Sequence, residues 1–238
     1  MFDELLRLYN SVVFFDTETT GLDPMDNTNQ IIELAAYALH RDSEHEEMDD
    51  FISLQGERCI LGVPEKITEL TGIDDTILFN DGIDELDALD KFMAMIKGDS
   101  LLVAYNAHFD LLYLCMAILR HRKERPGFLK SFNACDYLDP CSIHRDRARN
   151  VKSHKLEAAI SYFGLDGEVV NSHRAIDDTK ALIRVSECLN NEKEDFIRYI
   201  NFFSWVRQPP EHPLKKVTYF DLSPWHHPPG DPLYKRTR

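Results

Sequence analysis

No apolar run in this chain approaches the roughly 20 residues that a membrane-crossing helix needs. The longest, Leu111 to Leu119, has nine. There is no Cys-x-x-Cys pair, and the five cysteines (Cys59, Cys115, Cys135, Cys141 and Cys188) are an odd number, which argues against a disulfide framework and for reduced thiols. The first residues, Met-Phe-Asp-Glu-Leu-Leu-Arg, carry acids where a secretion signal carries bases, so the expectation is a cytoplasmic protein with no membrane partner. Positive charge is also scarce. The net charge is −14, but it is unevenly spread: the first hundred residues hold 6 of the 27 basic and 24 of the 41 acidic side chains. The sign therefore reverses from −18 there to +4 in the rest. The window Arg120 to Lys155 is the basic extreme, with ten basic residues (Arg120, Arg122, Lys123, Arg125, Lys130, Arg145, Arg147, Arg149, Lys152 and Lys155) against four acids. Such a window suits either a phosphate backbone or a solvated helix end with an exposed loop.

What the chain does have is Val-Val-Phe-Phe-Asp-Thr-Glu-Thr-Thr-Gly, from Val12 to Gly21. Four strand-favouring apolar residues read as a strand buried on both faces. Alternation puts Asp16 and Glu18 on one face, about 7 Å apart along the backbone. Unpartnered, two such acids repel; a divalent cation is their natural partner, and a solvated strand end is the alternative. Gly21 permits a tight exit, through a positive φ or a close approach.

The chain then reads in order. A short amphipathic helix in the first ten residues carries Phe2, Leu5, Leu6, Leu8 and Tyr9. After a polar loop from Asp23 to Asn29, the runs Ile31 to Leu39 and Phe51 to Leu54 read as second and third strands of a meander, linked by acidic residues 41–50. Helices are expected over Glu65 to Leu70, stopped by Thr71-Gly72, and over Asp84 to Ile96. Leu101 to Tyr105 repeats the strand-into-polar pattern and leads through Asn106-Ala107-His108-Phe109-Asp110 into a helix from Leu111 to Arg120. By position alone, Asp110 or Asn106 is a helix cap, though a cap can also aim a carboxylate at the strand ends where α/β sheets bind ligands. Phe132 to Leu138 reads as the last strand, Arg145 to Lys155 as a basic loop, and Leu156 to Phe163 as a helix closed by Gly164. Asn171 to Thr179 opens a helix running to Leu189, with Ser172 a candidate cap, His173 at its entrance and Asp178 about a turn and a half inside. A lone histidine there is ordinarily a cap or a surface residue.

Together, Asp16, Glu18, Asp110 and Asp178 with His173 are what hard divalent ions and an attacking water require: carboxylate oxygens, and a base able to take a proton near neutral pH. The motifs Phe15-Asp16-Thr17-Glu18-Thr19-Thr20-Gly21, Asn106-Ala107-His108-Phe109-Asp110 and His173-Arg174-Ala175-Ile176-Asp177-Asp178 resemble those of the DEDDh exonucleases of the DnaQ-like family, which includes proofreading exonucleases, ribonuclease T and oligoribonuclease. The resemblance covers about residues 10 to 190, and Ile67 to Ile73 and Ser153 to Leu156 resemble the stretches between those motifs. It implies a ribonuclease-H-like α/β fold, a central five-stranded mixed sheet flanked by helices. It also implies a metal-dependent 3′→5′ exonuclease that releases nucleoside 5′-monophosphates from 3′ ends of single-stranded nucleic acid; DNA is the favoured substrate, and an RNA-directed enzyme or a non-catalytic binding module are the alternatives. Two Mg²⁺ or Mn²⁺ ions would be held by Asp16, Glu18, Asp110 and Asp178, and His173 would be the general base. Thr19, Leu22, Asn106 and Phe109 would contact the terminal nucleotide, and a polymerase in another chain is a possible partner.

Residues 1–190 are read as the exonuclease domain. Residues 191–238 are read as a C-terminal part: an amphipathic helix from Glu192 to Trp205, then a stretch in which seven of the eleven prolines fall within the last thirty residues. That stretch is expected to be extended or irregular.

Overall fold

The computed structural model describes residues 2–203. In chain order the elements are helix α1 (Asp3–Leu8), strands β1 (Ser11–Thr19), β2 (Ile31–His40) and β3 (Glu46–Phe51), helices α2 (Arg58–Leu61), α3 (Glu65–Thr71), α4 (Asp75–Asp81) and α5 (Glu85–Ala94), strand β4 (Ser100–Val103), helices α6 (His108–Arg120) and α7 (Phe128–Ala134), strand β5 (Asp136–Leu138), helices α8 (Pro140–Arg147), α9 (Leu156–Tyr162) and α10 (Ala175–Glu192), a 3₁₀ turn (Phe196–Tyr199) and strand β6 (Asn201–Phe202). The sheet order is β3-β2-β1-β4-β5-β6, mixed, with β1, β4 and β5 parallel and the outer pairings antiparallel. This is the expected α/β architecture with one more strand than the five anticipated, the two-residue β6. None of the described helices is long and apolar enough to cross a membrane.

Alternation along β1 divides the core in two. Val13 and Phe15 join Leu89 and Phe92 of α5 and Leu111 and Leu114 of α6 on one face, with the Phe15 and Phe92 rings 5.3 Å apart. Val12 and Phe14 join Leu182, Val185 and Leu189 of α10 on the other. Asp16 and Glu18 continue the α10 face, and Thr17 continues the α6 face. Because β4 runs parallel to β1, with Val103 opposite Phe14, the segment after β4 emerges beside the carboxyl end of β1.

Four expectations are corrected. The third strand is Glu46–Phe51, not Phe51 to Leu54: as the sheet edge it needs only Met48 buried, and its acids belong where an edge must refuse further pairing. Phe132 to Leu138 is not one strand. Phe128, Leu129 and Phe132 have helical spacing and lie in α7, leaving three residues for β5. The basic stretch is helical as far as Arg147, because Asp139 caps α8 by accepting from the Cys141 N–H at 3.0 Å and Pro140 stands at its first position. The helix expected from Glu192 to Trp205 is replaced, in its described part, by the 3₁₀ turn and β6. Phe196 is buried in the α10-side core and Phe203 in the α6-side core. A helix cannot deliver both to opposite faces of one sheet. Trp205 and the proline-rich stretch lie outside the described residues.

Helices α5 and α6 are clamped by Glu85, which is 1% exposed. Its carboxylate accepts from Arg120 Nε at 3.0 Å and Nη2 at 2.6 Å, and it lies 3.0 Å from His121 Nε2. Removing one partner of a buried pair strands the other charge, so Glu85→Ala should cost about 3 kcal/mol in urea-unfolding free energy. A loss under about 1 kcal/mol would mean that Arg120 finds solvent instead.

Candidate active site

The site forms where β1 ends. Asp110, in the first turn of α6, is 3% exposed and comes to β1 from the opposite face to α10. Its Oδ1 accepts from the Thr17 N–H at 3.1 Å and the Thr17 hydroxyl at 2.7 Å, so the residue between Asp16 and Glu18 fixes the third carboxylate. Asp178 comes from α10 on the other face; it is the fourth residue of that helix, nearer its start than the sequence suggests, and is 6% exposed. Ser172 does not cap α10 but donates to Asp177 Oδ2 at 2.6 Å, which leaves Asp177 outside the cluster. His173 is exposed on left-handed backbone, φ 54°, a conformation that costs a non-glycine residue about 1–2 kcal/mol. Glu18, His173 and Asp178 each offer a metal-ligating atom, all within 4.8 Å of one another.

The electrostatics are those of crowded acids. Asp16 is pushed well above the usual carboxylate range, first by burial and then by Asp110, Asp178, Glu18 and Glu33. Glu18 is raised to about 9 by burial, Asp178, Glu33 and Asp110, with Arg174 opposing. Burial raises Asp178 to about 7, and burial raises Asp110 to about 7 despite the Thr17 hydrogen bonds. Asp178 Oδ1 is buried without a hydrogen-bond partner. An orphaned carboxylate oxygen among mutually repelling acids fits hard divalent cations: the carboxylates of Asp16, Glu18, Asp110 and Asp178 are the oxygen donors that Mg²⁺ or Mn²⁺ takes.

The residues expected to touch substrate are placed unequally. Leu22 projects into solvent at 83% exposure. Phe109 is half-buried, with its ring 5.0 Å from that of Tyr113. Asn106 is exposed at φ 61°; it does not cap α6, and its N–H donates to Asp139 Oδ1 at 2.9 Å. Thr19 is 5% exposed and spends its hydroxyl on the Gly21 carbonyl, which also accepts from Tyr113 Oη, both at 2.7 Å. Gly21 is needed for a close approach rather than a positive φ: a Cβ there would lie 2.5 Å from Asn29 Oδ1.

In the basic window, Arg120, Arg125 and Arg147 are committed to the fold, through Glu85, Asp90, and Asp195 with the Leu189 carbonyl. The other seven are exposed, and four of them, Arg145, Arg149, Lys152 and Lys155, lie in one segment. Their segment is tied to the site end of the sheet by Tyr105 Oη, which donates to the His154 carbonyl at 2.9 Å.

Sequence reasoning missed Glu33, Arg174 and Thr17. Glu33 is fully buried on β2, directly opposite Glu18, and accepts from Arg174 and the Ala175 N–H. Its signal was available: it is the single charge in the apolar run Ile31 to Leu39, and a charge there requires a partner.

The RNase_T family model, described as exonuclease, matches residues 13–186. Among sequence relatives, the PolC-type DNA polymerase III of Bacillus subtilis is 35% identical over 172 residues, 71% of this chain and 11% of that protein. That of Clostridium perfringens is 33% identical over 174 residues, 73% of this chain and 11% of that protein. The chain thus spans about a tenth of the length of these relatives. Among solved structures, the zinc-bound complex of E. coli ExoI with single-stranded DNA covers 80% of this chain and 42% of its own, with a TM-score of 0.65 and 16% identity. A 3′-exonuclease recognising a histone mRNA stem-loop covers 77% and 64%, with a TM-score of 0.60 and 16% identity. At such identities the likeness is one of fold.

Proposed function

The chain belongs to the RNase_T exonuclease family, and on that premise we propose that it is a 3′→5′ exonuclease, removing nucleoside 5′-monophosphates one at a time from single-stranded 3′ ends, DNA in preference to RNA, using two divalent cations and His173 as general base. The observation that carries the reading is the convergence at one strand end of Glu18, Asp178 and His173 within 4.8 Å, with Asp110 close enough to Asp16 to raise its proton affinity. The preference for DNA rests on the two sequence relatives, both DNA polymerases. They also support a polymerase as partner in the cytoplasm, where this chain would act on mispaired ends.

Asp16, Glu18, Asp178 and Asp110 would hold Mg²⁺ or Mn²⁺. When bound, the ions supply neutralisation of charge on the attacking and leaving oxygens, an effect worth several kcal/mol. His173, exposed at the mouth of the cluster, takes a proton from water; the water oxygen attacks the terminal phosphorus in line, and the 3′ oxygen of the preceding nucleotide leaves. Leu22 and Phe109 flank the terminal base as apolar surfaces on which any base can stack, and the exposed Asn106 offers a side-chain amide beside them. Thr19 acts indirectly, by holding the Gly21 turn that presents Leu22. Arg145, Arg149, Lys152 and Lys155 receive the upstream phosphates.

The test is degradation of 3′-labelled and 5′-labelled single-stranded DNA and RNA oligonucleotides with Mg²⁺ or Mn²⁺. Mononucleotides are expected from the 3′ end, faster from DNA, with loss of at least about 10³-fold on chelation or in Asp110→Asn. Absence of mononucleotide release from either polymer would overturn the reading in favour of a binding module.

A further inference from the structure

Glu33 is a charged side chain with no exposed surface, set in the otherwise apolar strand β2. Two of its hydrogen-bond partners form one dipeptide 141 and 142 residues away, and the carboxyl of Asp49 on β3 also bonds to it when protonated. Oε1 accepts from Arg174 Nε at 2.9 Å and Nη2 at 2.7 Å, while Oε2 accepts from the Ala175 N–H at 2.8 Å and from Arg174 Nε at 3.2 Å. Ala175 is the first residue of α10, and that helix has no side-chain cap from its own flanking residue. Glu33 therefore supplies, from the sheet, the carboxylate that a helix start ordinarily takes from its own chain. The Arg174 guanidinium is held from a second side by the Phe51 ring, 4.8 Å away on β3. In register, Glu18, Glu33 and Phe51 stand opposite one another on β1, β2 and β3 and share one face of the sheet.

What this clamp holds is specific. Immediately before Arg174 is His173, on left-handed backbone that its surroundings must enforce. Three residues after Ala175 is Asp178. One carboxylate, in register with Glu18, thus fixes the segment carrying the other two members of the 4.8 Å cluster. Resting on the functional reading above, we propose that Glu33 and Arg174 are positioning residues of the active site: their bidentate pair sets the spacing of His173 and Asp178 against Glu18, and so the affinity of the cluster for divalent cations and the turnover of the nuclease.

Glu33→Gln keeps the size of the side chain and an oxygen for the Ala175 N–H but loses the charged fork. Arg174→Lys keeps the charge and loses the bidentate geometry. Both variants are compared with the natural 238-residue chain by Mn²⁺ titration in a calorimeter without substrate, by kcat and KM on a single-stranded DNA oligonucleotide, and by thermal unfolding. Outer partners of metal ligands typically carry 10–100-fold in metal affinity or activity. The expected result is Mn²⁺ binding weakened about 10-fold, kcat lowered about 30-fold and KM within about twofold of the natural value, in both variants. The double variant should be no worse than the more impaired single one, since both break the same pair. Mn²⁺ binding and kcat within about twofold of the natural values, with only the melting temperature lowered, would reduce the pair to a structural brace and overturn the proposal. If Glu33→Gln does not fold, Arg174→Lys decides by the same criteria. If the natural protein releases no nucleotide, the functional reading fails while the calorimetric comparison still tests the clamp.

Discussion

Asp16→Asn is expected to lower kcat about 10⁴-fold and, in the presence of chelator near pH 8, to raise the melting temperature by about 4 °C. The two effects have one cause. Burial and the fields of Asp110, Asp178, Glu18 and Glu33 all oppose charge on Asp16, so without a cation the folded protein must either hold a proton that the unfolded chain has released by about pH 8 or bear the repulsion. Asparagine has the same shape, carries no charge and relieves that repulsion, but it no longer supplies an anionic ligand. A site whose repair strengthens the fold while destroying the chemistry carries a functional cost in stability. Asp110→Asn should behave differently. Asp110 accepts two hydrogen bonds from Thr17, and exchanging the carboxylate for an amide weakens them, so the gain in stability should be smaller although activity falls as far. Thermal unfolding of both variants in chelator, beside single-turnover nucleotide release, checks the pair of expectations. A metal-free Asp16→Asn protein that melts below the natural one would show that the carboxylate is already satisfied by the fold.

Much of this site can be read before the fold is known, because its signals are local. Strand alternation alone puts Asp16 and Glu18 on one face, and the segments holding Asp110 and Asp178 each show a helix start with an acid in the first turn. The remainder is non-local. Nothing near Thr17 announces that its hydroxyl will meet a carboxylate 93 positions later, and nothing near Glu33 names Arg174 as its partner. Glu33 shows only that a partner must exist. Errors in the fold have the same origin. Phe196 and Phe203 have helical spacing, yet they serve two cores separated by the sheet, and spacing cannot report which core a residue reaches. Strand β3 is hidden because an edge strand needs so little apolar surface that its acids read as a linker.

The same crowding predicts how the metal-free protein responds to pH. In the folded state Glu18 is raised to about 9 and Asp178 to about 7, with Asp16 and Asp110 also raised, burial being the first cause in each. An unfolded chain releases these protons near pH 4. Between those limits the folded protein binds more protons than the unfolded one, so stability is fully present below about pH 4 and is lost as pH rises through 7 toward 9. In chelator the melting temperature should therefore fall by about 10 °C between roughly pH 5.5 and pH 8.5. Asp49 and Asp139, each raised to about 6, act in the same direction but have spent their effect by neutral pH. The loss above pH 7 therefore belongs to the cluster. Divalent cations invert this limb, since they bind the ionised carboxylates: in millimolar Mn²⁺ the stabilisation over chelator should grow with each pH step from 5.5 to 8.5. Asp16→Asn should flatten both trends by removing one titrating acid and one ligand. Acids held below their ordinary range by basic neighbours, such as the half-buried Asp90 beside Arg125, act with the opposite sign and destabilise only in acid. A melting temperature in chelator that is level from pH 7 to 8.5, or a Mn²⁺ effect that does not grow with pH, would mean that these carboxylates are already ionised and compensated in the metal-free fold.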